Sequence, residues 1–250
     1  MQDIKRQDEI LNYLKSNNSA TVEFLAKKYY ASPSTIRRDL TLLEKTGLVH
    51  RTHGGVIYND RFKELSIMIR KNKNEGVKDS LAQVAAKYMP EFTSVFIDNS
   101  STCASLIKYL NLDKKIVVTN SVYILHEVKT LYDAHVILIG GDYDIENMST
   151  SGPLTFQNLN KFHFDLFIQS CTYVDSKGTY ESEQVTAMVK KSAMEQSDHK
   201  VLIFDKSKLE KSATCKTAQL NEYDLIVTDA DENQKNKLKQ LNPNLVLRSE

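Results

Sequence analysis

Apolar positions recur at helical spacing three times near the start of this chain. Ile4, Ile10, Leu11 and Leu14 predict a first helix over about residues 3–16, which Asn17-Asn18-Ser19 breaks. Thr21 is placed to cap a second helix that turns Val22, Leu25 and Ala26 inward. Tyr29-Tyr30-Ala31 then makes a tight connection to Ser32. Ser32 suits an N-cap and Pro33 suits the first helical turn. Ile36, Leu40 and Leu43 recur at spacings of four and three, which predicts a buried stripe on a third helix. Gly47 is expected to end that helix as its C-cap. Leu48-Val49-His50-Arg51 and Val56-Ile57-Tyr58 then read as two short strands around His53-Gly54-Gly55.

The pattern changes after residue 58. Residues 59–76 read as a charged connector with Arg61, Lys63, Arg70, Lys71 and Lys73, interrupted by the apolar patch Leu65-Ser66-Ile67-Met68-Ile69. From Val77 on, Leu81, Val84, Ala85 and Tyr88 mark a helix that Pro90 stops. Beyond it, apolar strands are predicted over 94–97, 115–119, 135–139, 164–169, 201–204 and 225–227. Helices are predicted over 102–110, 122–129, 185–196 and 232–240. This alternation predicts an α/β domain with a mostly parallel sheet over residues 77–250, behind a small α+β unit over residues 1–58.

Composition narrows the classes. A chain of 250 residues with 41% hydrophobic and 26% charged residues is ordinary for globular protein. The net charge of +1 excludes a generally basic nucleic-acid coat; residues 1–60 hold nine Lys/Arg against seven Asp/Glu, so any DNA contact rests on placement. Cys103, Cys171 and Cys215 are odd in number and far apart, which fits a reduced chain and no disulfide framework. Met1 leads into Gln2-Asp3-Ile4-Lys5-Arg6-Gln7 without an apolar signal core, and no apolar run reaches the ~20 residues needed to span a bilayer. The expectation is a cytoplasmic protein with no membrane contact.

Placement does point to DNA. Ser34, Thr35, Arg37 and Arg38 lie off the buried stripe, near the start of the third helix behind Ser32, where a reading helix presents side chains to the major groove. Arginine bonds guanine bidentately, and Ser or Thr bonds bases or phosphates. Asp39 is expected to pair with an Arg or Lys rather than meet DNA. Arg51 and His53, with Gly54 and Gly55, would form a wing against phosphate or the minor groove. One amphipathic helix with a solvated charged face would account for any single piece. Three short helices followed by a basic hairpin predict a winged helix-turn-helix that binds double-stranded DNA. His50-x-x-His53 lacks a Cys or acidic cluster to complete a metal site.

In the second unit, polar residues follow the predicted strands. Ile97 runs into Asp98-Asn99-Ser100-Ser101-Thr102, Val118 into Thr119-Asn120-Ser121, Ile139 into Gly140-Gly141-Asp142, and Phe204 into Asp205-Lys206-Ser207-Lys208. Ligands of such sheets bind at the carboxyl ends of the strands, and free N–H groups at helix starts favour anions. Lys208 would add a point charge for phosphate. Each loop alone reads as a helix cap or a turn; four together suggest a pocket for a phosphorylated small molecule. No cofactor is called for.

The segments Ser32-Pro33-Ser34-Thr35-Ile36-Arg37-Arg38-Asp39-Leu40, Leu43-Glu44-Lys45-Thr46-Gly47 and Arg51-Thr52-His53-Gly54-Gly55 together resemble the DeoR family of bacterial sugar-metabolism regulators. The resemblance extends through Asp98–Thr102, Thr119–Ser121, Gly140-Gly141, Gly152, Asp205–Lys208 and Thr228-Asp229. It implies an effector domain similar to sugar-phosphate isomerases, turned from catalysis to sensing. This chain departs from the family pattern at four places. Val56 stands for Ala and Ser100 for a loop glycine. Gln169-Ser170-Cys171-Thr172-Tyr173 replaces a Gly-rich run. Thr186-Ala187 stands for Glu-Ala, while Lys190 keeps its place.

The expected function is a sequence-specific regulator, a repressor of a sugar operon modulated by a phosphorylated sugar and acting as a homodimer or homotetramer. Two alternatives stand beside it. One is an isomerase-like enzyme with Asp98 or Asp205 as base; the other is a constitutive regulator with altered sensor loops.

Overall fold

The computed structural model describes residues 2–45, 49–52, 54–58, 67–242 and 245–247. Gly47, Leu48, His53, Arg61, Lys63, Leu65 and Ser66 lie outside the described residues, as does the side chain of Ile4. The chain divides into two units, Met1–Ile69 and Arg70–Glu250.

The first unit runs α1 (Gln2–Asn17), β1 (Ser19–Thr21), α2 (Val22–Lys28), α3 (Pro33–Lys45), β2 (Val49–Arg51) and β3 (Gly55–Tyr58). Asn18, at φ 62°, turns the chain out of α1 into β1. The Thr21 hydroxyl caps α2 by accepting from Phe24 N at 3.1 Å, as its position predicted. Tyr30, at φ 51°, makes the tight connection to Ser32, whose Oγ accepts from Thr35 N at 3.1 Å and caps α3. The sheet order is β1-β3-β2, antiparallel throughout. Ile10, Leu11, Leu14, Val22, Leu25, Ile36, Leu40, Leu43, Val49 and Val56 form one buried core. The helical spacing identified most of these, but strand β1 was missed. Three residues are too few to show an alternation, so Ser19 registered only as part of a break.

A short helix, α4 (Ile67–Asn72), occupies part of the predicted connector, and Ile69 packs against the first unit's core. The second unit continues with α5 (Glu75–Ala86), β4 (Ser94–Ile97), α6 (Ser101–Ile107), β5 (Ile116–Thr119), α7 (Val122–Leu131) and β6 (His135–Leu138). Then come β7 (Asp142–Asp144), β8 (Ser149–Ser151), α8 (Pro153–Leu159), β9 (Phe164–Gln169), β10 (Tyr173–Asp175), β11 (Gly178–Glu181) and α9 (Gln184–Glu195). The last elements are β12 (Ser197–Phe204), β13 (Cys215–Ala218), β14 (Leu225–Thr228), α10 (Glu232–Leu241) and β15 (Leu245–Leu247).

Seven strands form one sheet in the order β15-β14-β12-β9-β4-β5-β6, and every pair in it is parallel. Alternate residues serve opposite faces, as a two-residue period requires. Val95, Ile97, Val117, Leu166, Ile168, Val201, Ile203 and Val227 join one buried cluster with Leu81, Leu106 and Ile124. Phe96, Val118, Phe167, Leu202, Phe204 and Ile226 join the other with Val189, Met194 and Leu238. Helices therefore cover both faces, which is why the strands read as continuous apolar runs. The order runs outward from β4 to β6 on one side and from β9 to β15 on the other. It reverses between β4 and β9, a topological switch point where open α/β sheets bind ligands.

Among the described residues, no helix is long and apolar enough to cross a membrane.

Candidate functional site

Helix α3 buries Ile36, Leu40 and Leu43, and the opposite side stays in solvent. Ser32, Ser34, Arg37 and Arg38 are exposed and Thr35 is half-buried. The Ser32 hydroxyl lies 2.8 Å from both Ser34 Oγ and Thr35 Oγ1, so three hydroxyls cluster at the helix start. Asp39 is buried and binds Arg6 Nε at 2.6 Å and Gln7 Nε2 at 3.1 Å, both on α1. The acid expected to find a basic partner has one, from thirty-three residues upstream. Arg51 is turned back towards α3: its Nη1 donates to Thr41 Oγ1 at 2.8 Å, and its backbone N–H donates to Glu44 Oε1 at 2.8 Å.

The two wing glycines differ. Gly54 has open space around it, whereas a Cβ on Gly55 would sit 2.5 Å from the Ala20 carbonyl oxygen. Gly55 belongs to β3, opposite Thr21 of β1, so its smallness serves sheet packing in the first unit.

At the switch point of the second unit, three charges are buried together. Lys190 Nζ on α9 lies 2.6 Å from Glu181 Oε1 and 3.0 Å from Asp98 Oδ2, and donates to the Ser170 carbonyl at 2.8 Å. Asp98 also accepts from Ser100 N at 2.9 Å and from Ser170 N at 3.0 Å. Burial opposes the charged form of Asp98, but the Lys190 ammonium and the Ser100 hydrogen bonds outweigh it and hold the carboxyl below its usual range. Burial likewise opposes the Lys190 ammonium, and Asp98 and Glu181 more than reverse this. Burial pushes the Cys171 thiol up to about 12 and the Cys103 thiol well above its ordinary value, so neither supplies a thiolate.

Two further lysines contact the same loops. Lys78 of α5 is buried and donates to Ser101 Oγ at 2.9 Å and to the Arg70 carbonyl. Its ammonium is pulled down to about 8, first by burial and then by the positive charge of Lys208. Lys208 Nζ donates to Cys171 O at 2.6 Å and to Ser170 Oγ at 3.1 Å. Ser170 thus stands between Lys190 and Lys208. Sequence reasoning missed Lys78, although the signal was present: it precedes buried Leu81 and Ala82 by three and four residues, on the apolar face of its helix.

The expected loop residues separate into two kinds. Asp98 and Asn120 line a small cleft, partly open to solvent, together with Asn99, Asp144, Ser149, Thr150, Ser151, Glu183, Val185, Thr186, Val189 and Lys190. The others hold the frame. Ser100 caps α6 at φ −83°, so the residue in place of the family's glycine needs no left-handed backbone. Ser101 takes the Lys78 hydrogen bond, and Thr102 Oγ1 is buried with no hydrogen-bond partner in the structure. Thr119 Oγ1 donates to Ile97 O at 2.7 Å, and Ser121 caps α7. The Gly140 carbonyl accepts from Thr155 Oγ1 at 3.0 Å, and a Cβ on Gly141 would overlap Thr155 and the Ser151 carbonyl. The residues replacing the Gly-rich run are also accommodated. Gln169 Nε2 donates to the buried Tyr223 hydroxyl, and Thr172 Oγ1 donates to Glu181 Oε2 at 2.7 Å. Asp144, Glu181 and Glu183 carried no periodic signal, because they sit in or beside short polar strands.

Residues 6–62 match the model of the DeoR-like helix-turn-helix domain, and residues 73–230 match that of the DeoR C terminal sensor domain. The chain is 33% identical over 228 residues to the L-fucose operon activator of Haemophilus influenzae, covering 90% of this chain and 91% of that protein. It is 27% identical over 235 residues to the glycerol-3-phosphate regulon repressor of Escherichia coli, covering 92% of each. Among solved structures, it is similar to ribose 5 phosphate isomerase A of Neisseria gonorrhoeae at 18% identity, over 55% of this chain and 54% of that one, with a TM-score of 0.41.

Proposed function

This chain belongs to the DeoR family of transcriptional regulators of sugar operons, and we propose that it is an operator-binding repressor released by a phosphorylated sugar. Ser32, Ser34, Thr35, Arg37 and Arg38 read the operator from the exposed side of α3, with Arg51, His53 and Gly54 contributing at the wing. Repression is the simpler mode, since operator occupancy alone suffices for it. The protein works in the cytoplasm as a homodimer or homotetramer on paired half-sites.

The observation that carries the effector reading is the division of charge around the switch point. Lys78, Lys208 and the start of α6 give a seat for a phosphate, next to a cleft walled by Asp98 and Asn120. Sensing is favoured over catalysis because the Asp98 oxygens are already engaged by Lys190 and by the Ser100 and Ser170 N–H groups. A base ready to take a proton needs a freer carboxylate than this. An effector then acts by binding one DNA-binding state better than the other.

The test is a fluorescence-anisotropy titration of the full chain against DNA upstream of its own gene neighbourhood, repeated with a panel of sugar phosphates. Specific binding that one compound releases supports the whole reading. Specific binding that no compound alters removes the effector half and leaves a constitutive regulator. Turnover of any sugar phosphate overturns the sensing assignment in favour of an isomerase.

A further inference from the structure

Two tyrosines stand side by side in the turn between α2 and α3, and they do different things. Tyr29 is half-buried and, with Ala31, packs against the core of the first unit. Its hydroxyl donates to Glu9 O at 2.9 Å, and Lys28 Nζ lies 5.9 Å from its ring centroid. Tyr30, between these two core-facing neighbours, is 98% exposed.

Tyr30 also holds a backbone conformation that suits another residue type. Its φ of 51° lies in the left-handed region, where Gly or Asn sits at little cost and a bulky side chain is strained. Among the described residues it is the one aromatic with a positive φ. A side chain this exposed contributes almost no packing to offset that strain, so folding alone does not account for a tyrosine here. Residues held in strained conformations cluster at functional sites.

The surrounding chain is suited to a polyanion. Residues 24–38 hold Lys27, Lys28, Arg37 and Arg38 and no Asp or Glu. Asp39, the acid that closes this stretch, is buried against Arg6. Ser32, Pro33 and Ser34 follow Tyr30 as exposed residues, and two peptide units place the Ser32 Cα within about 7.6 Å of the Tyr30 Cα. A helix whose first turn enters the major groove has the sugar–phosphate rim of that groove beside the turn that precedes it. Tyrosine hydroxyls are among the side-chain donors that bind phosphate oxygens.

We propose that the Tyr30 hydroxyl donates to an operator phosphate at the rim of the groove that α3 enters. This rests on the reading of the first unit as operator-binding and adds a contact from the turn to those of α3 and the wing. The bond is to the backbone, so it strengthens binding without selecting sequence. The strain gives the contact a signature: Asn at this position relaxes the turn and removes the donor, so stability and affinity move in opposite directions.

The experiment is fluorescence-anisotropy titration of full-length wild type, Tyr30→Phe and Tyr30→Asn on DNA upstream of its own gene neighbourhood and on an unrelated duplex, with thermal unfolding of each protein. Tyr30→Phe keeps the ring and the turn and removes only the O–H. Its affinity is expected to fall about tenfold, by the same factor on both duplexes. The slope of log affinity against log salt should stay as in wild type, because a hydroxyl contact releases no counterion. Tyr30→Asn is expected to lose at least as much affinity while the melting temperature of its first unit rises by about 4 °C. Wild-type affinity in Tyr30→Phe overturns the inference while the operator-binding reading stands. So does a loss confined to the operator, which makes Tyr30 a base contact, and so does a lowered melting temperature in either variant, which makes it part of the frame. Absence of DNA binding by the wild-type protein overturns both.

Discussion

Arg6 Nε on α1 lies 2.6 Å from Asp39 Oδ2 on α3, so the acid inside Ile36-Arg37-Arg38-Asp39-Leu40 faces inward while both arginines face solvent. The pair fixes the rotation of α3 about its axis. It also keeps a carboxylate off the surface that would meet phosphate. Asp39→Ala leaves Arg6 without its nearest anion and is expected to lower the stability of the first unit by about 2–3 kcal/mol. Chemical denaturation of the near-isosteric Asp39→Asn beside wild type and Asp39→Ala separates lost charge from lost packing.

Arg38 is exposed and off the stripe, so Arg38→Ala should leave the fold intact. Operator affinity is expected to fall by about 1–3 kcal/mol if it bonds a guanine. If it bonds a phosphate instead, the salt dependence of binding becomes shallower by about one unit in the logarithmic slope. Anisotropy titrations at several salt concentrations distinguish the two, and wild-type affinity in the variant would remove Arg38 from the reading face.

Gly55→Ala tests whether the second wing glycine serves DNA or the sheet. The 2.5 Å approach to Ala20 O forces β1 and β3 apart, so a loss of about 1–3 kcal/mol of stability is expected. Gly54→Ala, with open space around it, should unfold like wild type. Thermal unfolding of both variants checks this, and equal melting points would contradict the packing role.

Lys190→Met would leave Asp98 and Glu181 buried side by side with no cation between them. A loss of about 3–5 kcal/mol at neutral pH is expected. The deficit should narrow as pH falls, because carboxylates whose folded pKa is raised are relieved by protonation. Wild type behaves oppositely: Asp98 sits below its usual range, so its contribution is present above the unfolded value and lost as pH drops through the folded one. Urea titrations between neutral and mildly acid pH would show the two curves converging.

Lys78 gives a pH signature for the proposed phosphate seat. Its ammonium is lowered to about 8 by burial, Lys208, Arg70 and Lys73, against the opposing effect of Asp205. An anion seated there raises it again, so binding takes up a proton and weakens as pH rises through about 8. Titrations with inorganic phosphate and with a sugar phosphate across that window should show the decline, and Lys78→Met should abolish it. In the unliganded protein the sign reverses. The unfolded chain holds this proton between about 8 and 10.5 while the folded one has released it, so the lysine's contribution to stability rises with pH there.

Much of the frame was legible because its physics is local. The Thr21, Ser32 and Ser121 caps each act within three residues, and all three are in place. The strand of Phe164–Gln169 was readable as a strand because both of its faces are covered and its composition is apolar. The hairpin of Asp142–Asp144 and Ser149–Ser151 was not, since a polar strand of three residues resembles a loop. The same applies to the small sheet that carries Glu181.

The sequence by itself determined the two-unit organisation, the third helix with its exposed arginines, the α/β alternation and the family, because periodicity, caps and motifs act over a few residues. Only the tertiary structure decided which polar residues meet. It joined Arg6 to Asp39, gathered Asp98, Glu181 and Lys190 across more than ninety residues of chain, and set Lys78 beside Lys208. It also assigned Thr119, Ser121 and Gly141 to the frame and left Asn120 facing the cleft with an unmet acceptor. Sheet order made those choices: strands adjacent in space bring their carboxyl-end loops together whatever their separation along the chain, and burial then fixes which charges pair.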